Sequence, residues 1–188
     1  DEAAYYSQEA NVVDYVGKSQ TIADEIEAQY SFFGGEHAQW VEYLNRRDVA
    51  PGTWTFVLRN EVRAVSGVSA VPKKTLGRQR KLLMQCAANY MWEDIRDRKE
   101  LGMKGGDIFS RLRVASDSLS AATCDESNAF TVILTPEWMH GWCAGPPILA
   151  ALVWDILEPS FRDQITPSTY IYPLYTRLAM GSSHSVFI

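Results

Sequence analysis

Pro51-Gly52 separates two hydrophobic periods, and that change of period does most to limit what the chain can fold into. Upstream, Ile22, Ile26 and Tyr30 recur at i, i+4 and i+8 with Asp and Glu between them, which predicts a helix over 8–31. Gly34-Gly35 breaks that pattern, and "EHAQWVEYLNRR" begins a second helix with Trp40, Tyr43 and Leu44 on one face. Downstream, "TWTFVLR" (53–59) and "EVRAVSGVSAVP" (61–72) are β-rich and partly alternating, and "RKLLMQCAANY" (80–90) begins as an apolar strand. The polar "KKTLGRQ" lies between the last two. The pattern predicts a two- or three-stranded ribbon with a basic tip, on which Lys73, Lys74, Arg78, Arg80 and Lys81 cluster.

Beyond the ribbon, "LSAATCD" (119–125) has the pattern of a short strand, "ILAALVWDIL" (148–157) that of a helix, and "YIYPLY" that of a strand. The expected fold class is therefore α+β. An apolar fraction of 46% over 188 residues supports a packed core, and no apolar run approaches the ~20 residues that span a bilayer. The first residue is Asp1 and the last stretch is "SSHSVFI", so the chain reads as an internal fragment of a longer protein. Cys86, Cys124 and Cys143 are too few and too scattered for a disulfide framework or a four-ligand zinc site. They suit buried thiols in a reducing compartment, cytoplasmic or nuclear.

Charge is unevenly distributed. Residues 1–50 hold three basic against ten acidic side chains, whereas residues 73–113 hold eleven against five. The second stretch is a candidate anion-binding surface, and the acidic first helices are a candidate protein-docking surface.

Three short motifs carry candidate chemistry. In "CDESNAF", Asp125 stands at the end of an apolar run, where a carboxylate is costly unless it pairs or binds a metal, and hard oxygen ligands suit Mg²⁺. Ser127-Asn128 supplies a turn that lets Asp125 and Phe130 serve one pocket. In "RLAMGSSHSVFI", Gly181 lets backbone approach a flat ligand, and the N–H groups after it suit phosphate or sugar. In "VPKKTLGRQRKLL", Lys and Arg on a hairpin can clamp a triphosphate. Each has an ordinary structural explanation by itself: a helix cap, a loop-to-helix junction, a solubilising hairpin tip.

The order of the three is more specific. Basic ribbon, then acid-to-aromatic turn, then glycine-serine turn resembles the reverse transcriptases, over roughly residues 53–188. "KKTLGRQRKLL" is similar to their fingers hairpin, "DESNAF" to the first palm motif of retrotransposon-encoded members, and "YTRLAMGSSHSVF" to the next palm motif. The resemblance implies a palm-and-fingers fragment. Residues 1–52 form an N-terminal helical extension, 53–115 fingers-like β-ribbon and helices, and 116–188 a palm incomplete at its C-terminus. It implies two-metal nucleotidyl transfer onto a primer 3′ end, with two Mg²⁺ ions, an RNA or DNA template-primer and deoxynucleoside triphosphates as partners, and no membrane. Asp125 would be catalytic and ligate both ions. The backbone around Glu126 and Ser127 would touch the triphosphate, and Phe130 would lie under the sugar and exclude a 2′-hydroxyl. Arg80 would reach the α-phosphate and Lys73 or Lys74 the γ-phosphate, while Met180 and Gly181 line the nucleotide pocket. The family's later motif, an aromatic followed shortly by two consecutive aspartates, is absent, and no Asp-Asp pair occurs in the chain. Ala179 and Val186 also replace the prolines of many relatives. The isolated chain is therefore expected to be inactive. The alternatives are an RNA-directed RNA polymerase, which Phe130 disfavours, and a non-catalytic interaction module from a decayed element.

Overall fold

The computed structural model describes residues 2–46, 51–74, 76–77, 79–94, 111, 113, 122 and 129–185. It is a mixed α and β structure with two small antiparallel sheets. Helix α1 (Glu2–Tyr6) and a 3-10 turn at Glu9–Asn11 lead into α2 (Gln20–Tyr30) and α3 (His37–Leu44). Strand β1 (Trp54–Val57) follows. The ribbon is β2 (Gly67–Pro72) and β3 (Gln79–Met84), continued by α4 (Cys86–Met91). After α5 (Ala129–Val132) and α6 (Glu137–His140) come β4 (Ile148–Leu149), α7 (Pro159–Arg162) and β5 (Tyr170–Tyr175). The second sheet has the order β1-β5-β4, with Trp54 opposite Tyr175 and Ile148 opposite Ile171.

The first helix is shorter than its apolar spacing predicts. Val13 forms an antiparallel bridge with Trp92 just past the end of α4: Asp14 N–H donates to Met91 O (2.9 Å) and Glu93 N–H to Val12 O (2.7 Å). Asp14 then accepts from Gly17 N–H at 2.6 Å, a turn that delays the helix to Gln20. The buried residue of α2 is Ala23, and Ile26 packs against the same core, whereas Ile22 and Tyr30 at the two ends of the i, i+4, i+8 stripe are exposed, so the spacing marked the core face only in part. The second helix matches its pattern. Glu36 and Gln39 form a reciprocal capping box, and Trp40 and Leu44 are buried.

"ILAALVWDIL" is not an α-helix. Residues 148–149 pair with β5, and the rest is a 3-10 segment, Ala150–Ile156, kinked at Val153. Ala150 and Ala151 donate their N–H groups outward to Thr169 O and Pro167 O (2.9 Å each). Those bonds hold the segment to the β5 approach. An apolar run of this length does not distinguish that from a buried helix.

Trp40 organises one core. It is fully buried with Val68, Ile148, Val153 and Ile171, stacks on Phe33 and Tyr43, and donates its indole N–H to Pro146 O (3.2 Å). A second core packs Val12, Val13 and Ala23 against Ala87, Met91, Trp92, Met139 and Trp142. Residues from the first 50 thus share both cores with residues 139–171.

Candidate functional site

The ribbon forms as its sequence predicts. Pro72 faces Gln79 across a connection whose Gly77 has φ +74°, a conformation glycine adopts at little cost. Lys73, Lys74 and Arg80 are exposed, and Leu76 beside the two lysines is 99% exposed. Arg78 lies outside the described residues.

Lys81 does not belong to the basic tip. Successive residues of a strand face opposite ways, so it turns inward where Arg80 turns out. Its Nζ lies 3.7 Å from the ring centre of Tyr175, 4.8 Å from that of Trp54 and 5.5 Å from that of Tyr43. Such rings attract an ammonium by about 0.5–2 kcal/mol each. Burial opposes them, and with no carboxylate paired to it among the described residues the amine's pKa is pushed down to about 7. Strand alternation was the signal for this residue: two adjacent cations cannot share one face.

The glycine-serine turn is built on the same strand. A β-carbon on Gly181 would lie 2.1 Å from Leu83 O, so only glycine lets the turn seat against β3. Asn89, on α4, clamps the turn by donating to Gly181 O and accepting from Ser183 N–H, both at 2.8 Å. The N–H groups of this turn are not open to phosphate as expected. Ser182 N–H donates to Ala179 O (3.0 Å), His184 N–H to Ser182 Oγ (3.2 Å) and Ser185 N–H to Ser182 O (3.2 Å). Ser182 and Ser185 are buried. Met180 remains half-exposed.

Phe130 sits half-buried in the single turn of α5. The chain just after it runs antiparallel to the chain just before Met180. Leu178 N–H donates to Ile133 O (3.0 Å), Leu134 bridges Arg177, and Thr135 donates its N–H (3.2 Å) and hydroxyl (3.0 Å) to Thr176 O. Thr176 in turn donates to Thr53 O (3.1 Å) before β1. Asp125, Glu126 and Ser127, and with them the strand expected at 119–125 and Cys124, lie outside the described residues. Among the described residues no cluster of His, Cys, Asp or Glu could hold a metal ion, and Asp125 is not among them.

Other candidates serve the fold. Glu27 of the acidic α2 accepts from Val65 N–H (2.7 Å) and pairs with Arg59 (3.6 Å). Cys143 is buried beside Gln85, and burial pushes its thiol pKa up to about 12, far from a reactive thiolate. Among the described residues no helix is long and apolar enough to cross a membrane.

No protein-family model matches the chain, and no curated protein matches it.

Proposed function

We propose that the chain is the fingers and part of the palm of a reverse transcriptase, an enzyme of RNA-directed DNA synthesis. The observation that carries the reading is the seating of Gly181 on Leu83 O, which brings the glycine-serine motif against the basic ribbon although about 100 residues separate them. The pairing of 133–135 with 176–178 links Phe130, the described end of the third motif, to the stretch that leads to Met180. The ribbon, Gly181 and Phe130 thereby lie on connected segments, which supports the reading.

Each residue has a physical task in this proposal. Exposed Lys73, Lys74 and Arg80 supply cations to a triphosphate and to the template-primer backbone. Phe130 offers a flat ring beneath a deoxyribose and leaves no room for a 2′-hydroxyl. Met180 presents half-exposed apolar surface to a base. With the turn's N–H groups already engaged, Gly181 acts through closeness rather than through phosphate binding. Mg²⁺ held by Asp125 and by further acids outside this chain would stabilise charge on the transferring phosphoryl group.

The test is equilibrium binding of an RNA-template/DNA-primer duplex by the 188-residue chain, across salt concentrations, with Mg²⁺ and a deoxynucleoside triphosphate. Binding should fall steeply with salt, and Lys73→Ala, Lys74→Ala and Arg80→Ala should each reduce the salt slope by about 1. Phe130→Ala should narrow the preference for deoxy- over ribonucleotide. Salt-independent binding, or none, would refute the assignment. Robust primer extension by this chain would refute the role of Asp125 as one of several required acids.

A further inference from the structure

We propose that the outer edge of β2, over residues 70–72, takes up a short acidic peptide of a partner protein as an added strand, with one apolar side chain of that peptide seated in the pocket beside α3. This does not depend on the polymerase assignment.

The alternation of backbone bonds along β2 fixes which groups point outward. Val68 N–H donates to Phe32 O (2.9 Å) and Gly34 N–H to Val68 O (2.7 Å), so Val68 gives both its backbone groups to the segment outside the ribbon rather than to β3. In an antiparallel pair, residues two apart share that orientation. Ala70 and Pro72 therefore also turn their backbone groups away from β3. Pro72 agrees with this, because a strand tolerates a residue without an N–H where that group would face outward. Segment 32–34 leaves the edge beyond Val68 and the chain enters α3 at His37. Ala70 is exposed, and its N–H and C=O have no outward partner among the described residues.

Beside this open edge lies a pocket of about 330 Å³, walled by Phe33, Tyr43 and Val68 and floored in part by Ala70. Directly opposite residues of paired strands share a face. The peptide residue beside Ala70 is thus on the face of Val68 and Lys81, where the pocket receives its side chain. Main-chain bonds then supply affinity and the pocket supplies selectivity.

Charge around the edge selects the partner. Lys73 and Lys74 follow directly on Pro72, both are exposed, and neither has an acidic partner among the described residues. Proline and lysines on an edge oppose indiscriminate strand pairing, while the lysines attract carboxylates. Glu42 is the one carboxylate among the described residues that line the pocket, so the acidic residues of the peptide belong at the lysine end. A second copy of this chain fits poorly: two β2 edges paired antiparallel about Ala70 would set Pro72 against Val68, whose groups are already engaged.

The test is fluorescence polarisation of the whole chain with the labelled peptide Glu-Val-Phe-Val-Asp-Asp-Glu. Binding should saturate, and Ala70→Pro should weaken it about fivefold through the loss of one hydrogen bond. Two versions of the peptide, methylated on alternate backbone nitrogens, decide the matter with the protein unchanged. One should bind and the other should not, because an added strand bonds through one edge only. The uncharged peptide Gln-Val-Phe-Val-Asn-Asn-Gln should bind more weakly, and Lys73→Ala with Lys74→Ala should remove that difference. Equal binding of the two methylated peptides would overturn the proposal, since the backbone edge would then have no part in it. So would equal binding of the charged and uncharged peptides, or a dimer of the chain that forms in place of peptide binding.

Discussion

At Gly181 the backbone of the turn rests on the carbonyl of Leu83 with no room for a side chain. The contact is with backbone rather than with the end of a flexible side chain, so neither partner gives way cheaply. Gly181→Ala should therefore cost about 1–3 kcal/mol by overpacking and lower the melting temperature by about 2–4 °C for each of those. Asn89→Ala probes the same turn by removal. It frees Gly181 O and Ser183 N–H, a loss of about 1–2 kcal/mol for two hydrogen bonds with water access. Thermal unfolding of both variants checks the pair. An unchanged melting temperature for Gly181→Ala would mean that the turn does not seat on β3. Gly181 was visible in the sequence by its small neighbours. Its partner was not, because nothing in "GSS" names a strand about 100 residues away.

At the scale of elements, α3 and the ribbon are both secured by aromatic rings. Trp40 anchors α3 to β2, β4 and β5 at once, through Val68, Ile148 and Ile171. Trp40→Ala should cost about 3–5 kcal/mol, the cost of removing a large buried ring, and chemical denaturation should show it as a lower midpoint. The ribbon and α3 were legible because their signals are local: alternation around a polar loop, and a capped apolar face. The helix over 8–31 and the helix at 148–157 were misread for one shared reason. Val12, Ala150 and Ala151 spend their backbone hydrogen bonds on distant partners, at Glu93, Thr169 and Pro167. Periodicity carries no information about such partners. Lys81 was assigned to the basic tip by counting charges, although alternation along β3 placed it on the other face.

For the molecule as a whole, the inward groups set how stability follows pH. Lys81 titrates near 7 when folded and near 10.4 in an unfolded chain. Between those values the unfolded state binds more protons, so stability rises with pH. Below about 7 both states carry the ammonium and the cost of burying it is complete. Cys143 and Tyr175 act in the opposite sense. Burial raises both to about 12, so the stability they carry is present below the ordinary pKa of each group and is lost as pH climbs through about 12. The thiol sets the start of that loss, at about pH 8.5. Between about pH 8.5 and 10 the rise from Lys81 and the fall from Cys143 offset each other, so stability is greatest on a plateau over that range. Because Lys81 keeps some solvent contact and three attracting rings, the acid limb is expected to be only about 1–2 kcal/mol between pH 6 and 8.5. Lys81→Met keeps the apolar stem over the rings and removes the charge. It should flatten the acid limb and let the alkaline fall begin near pH 8.5 rather than near 10. Melting curves from pH 6 to 10 on the two proteins decide it: an acid limb that survives in Lys81→Met belongs to another group, and the amine would then be no more strained by its cage than a lysine in water.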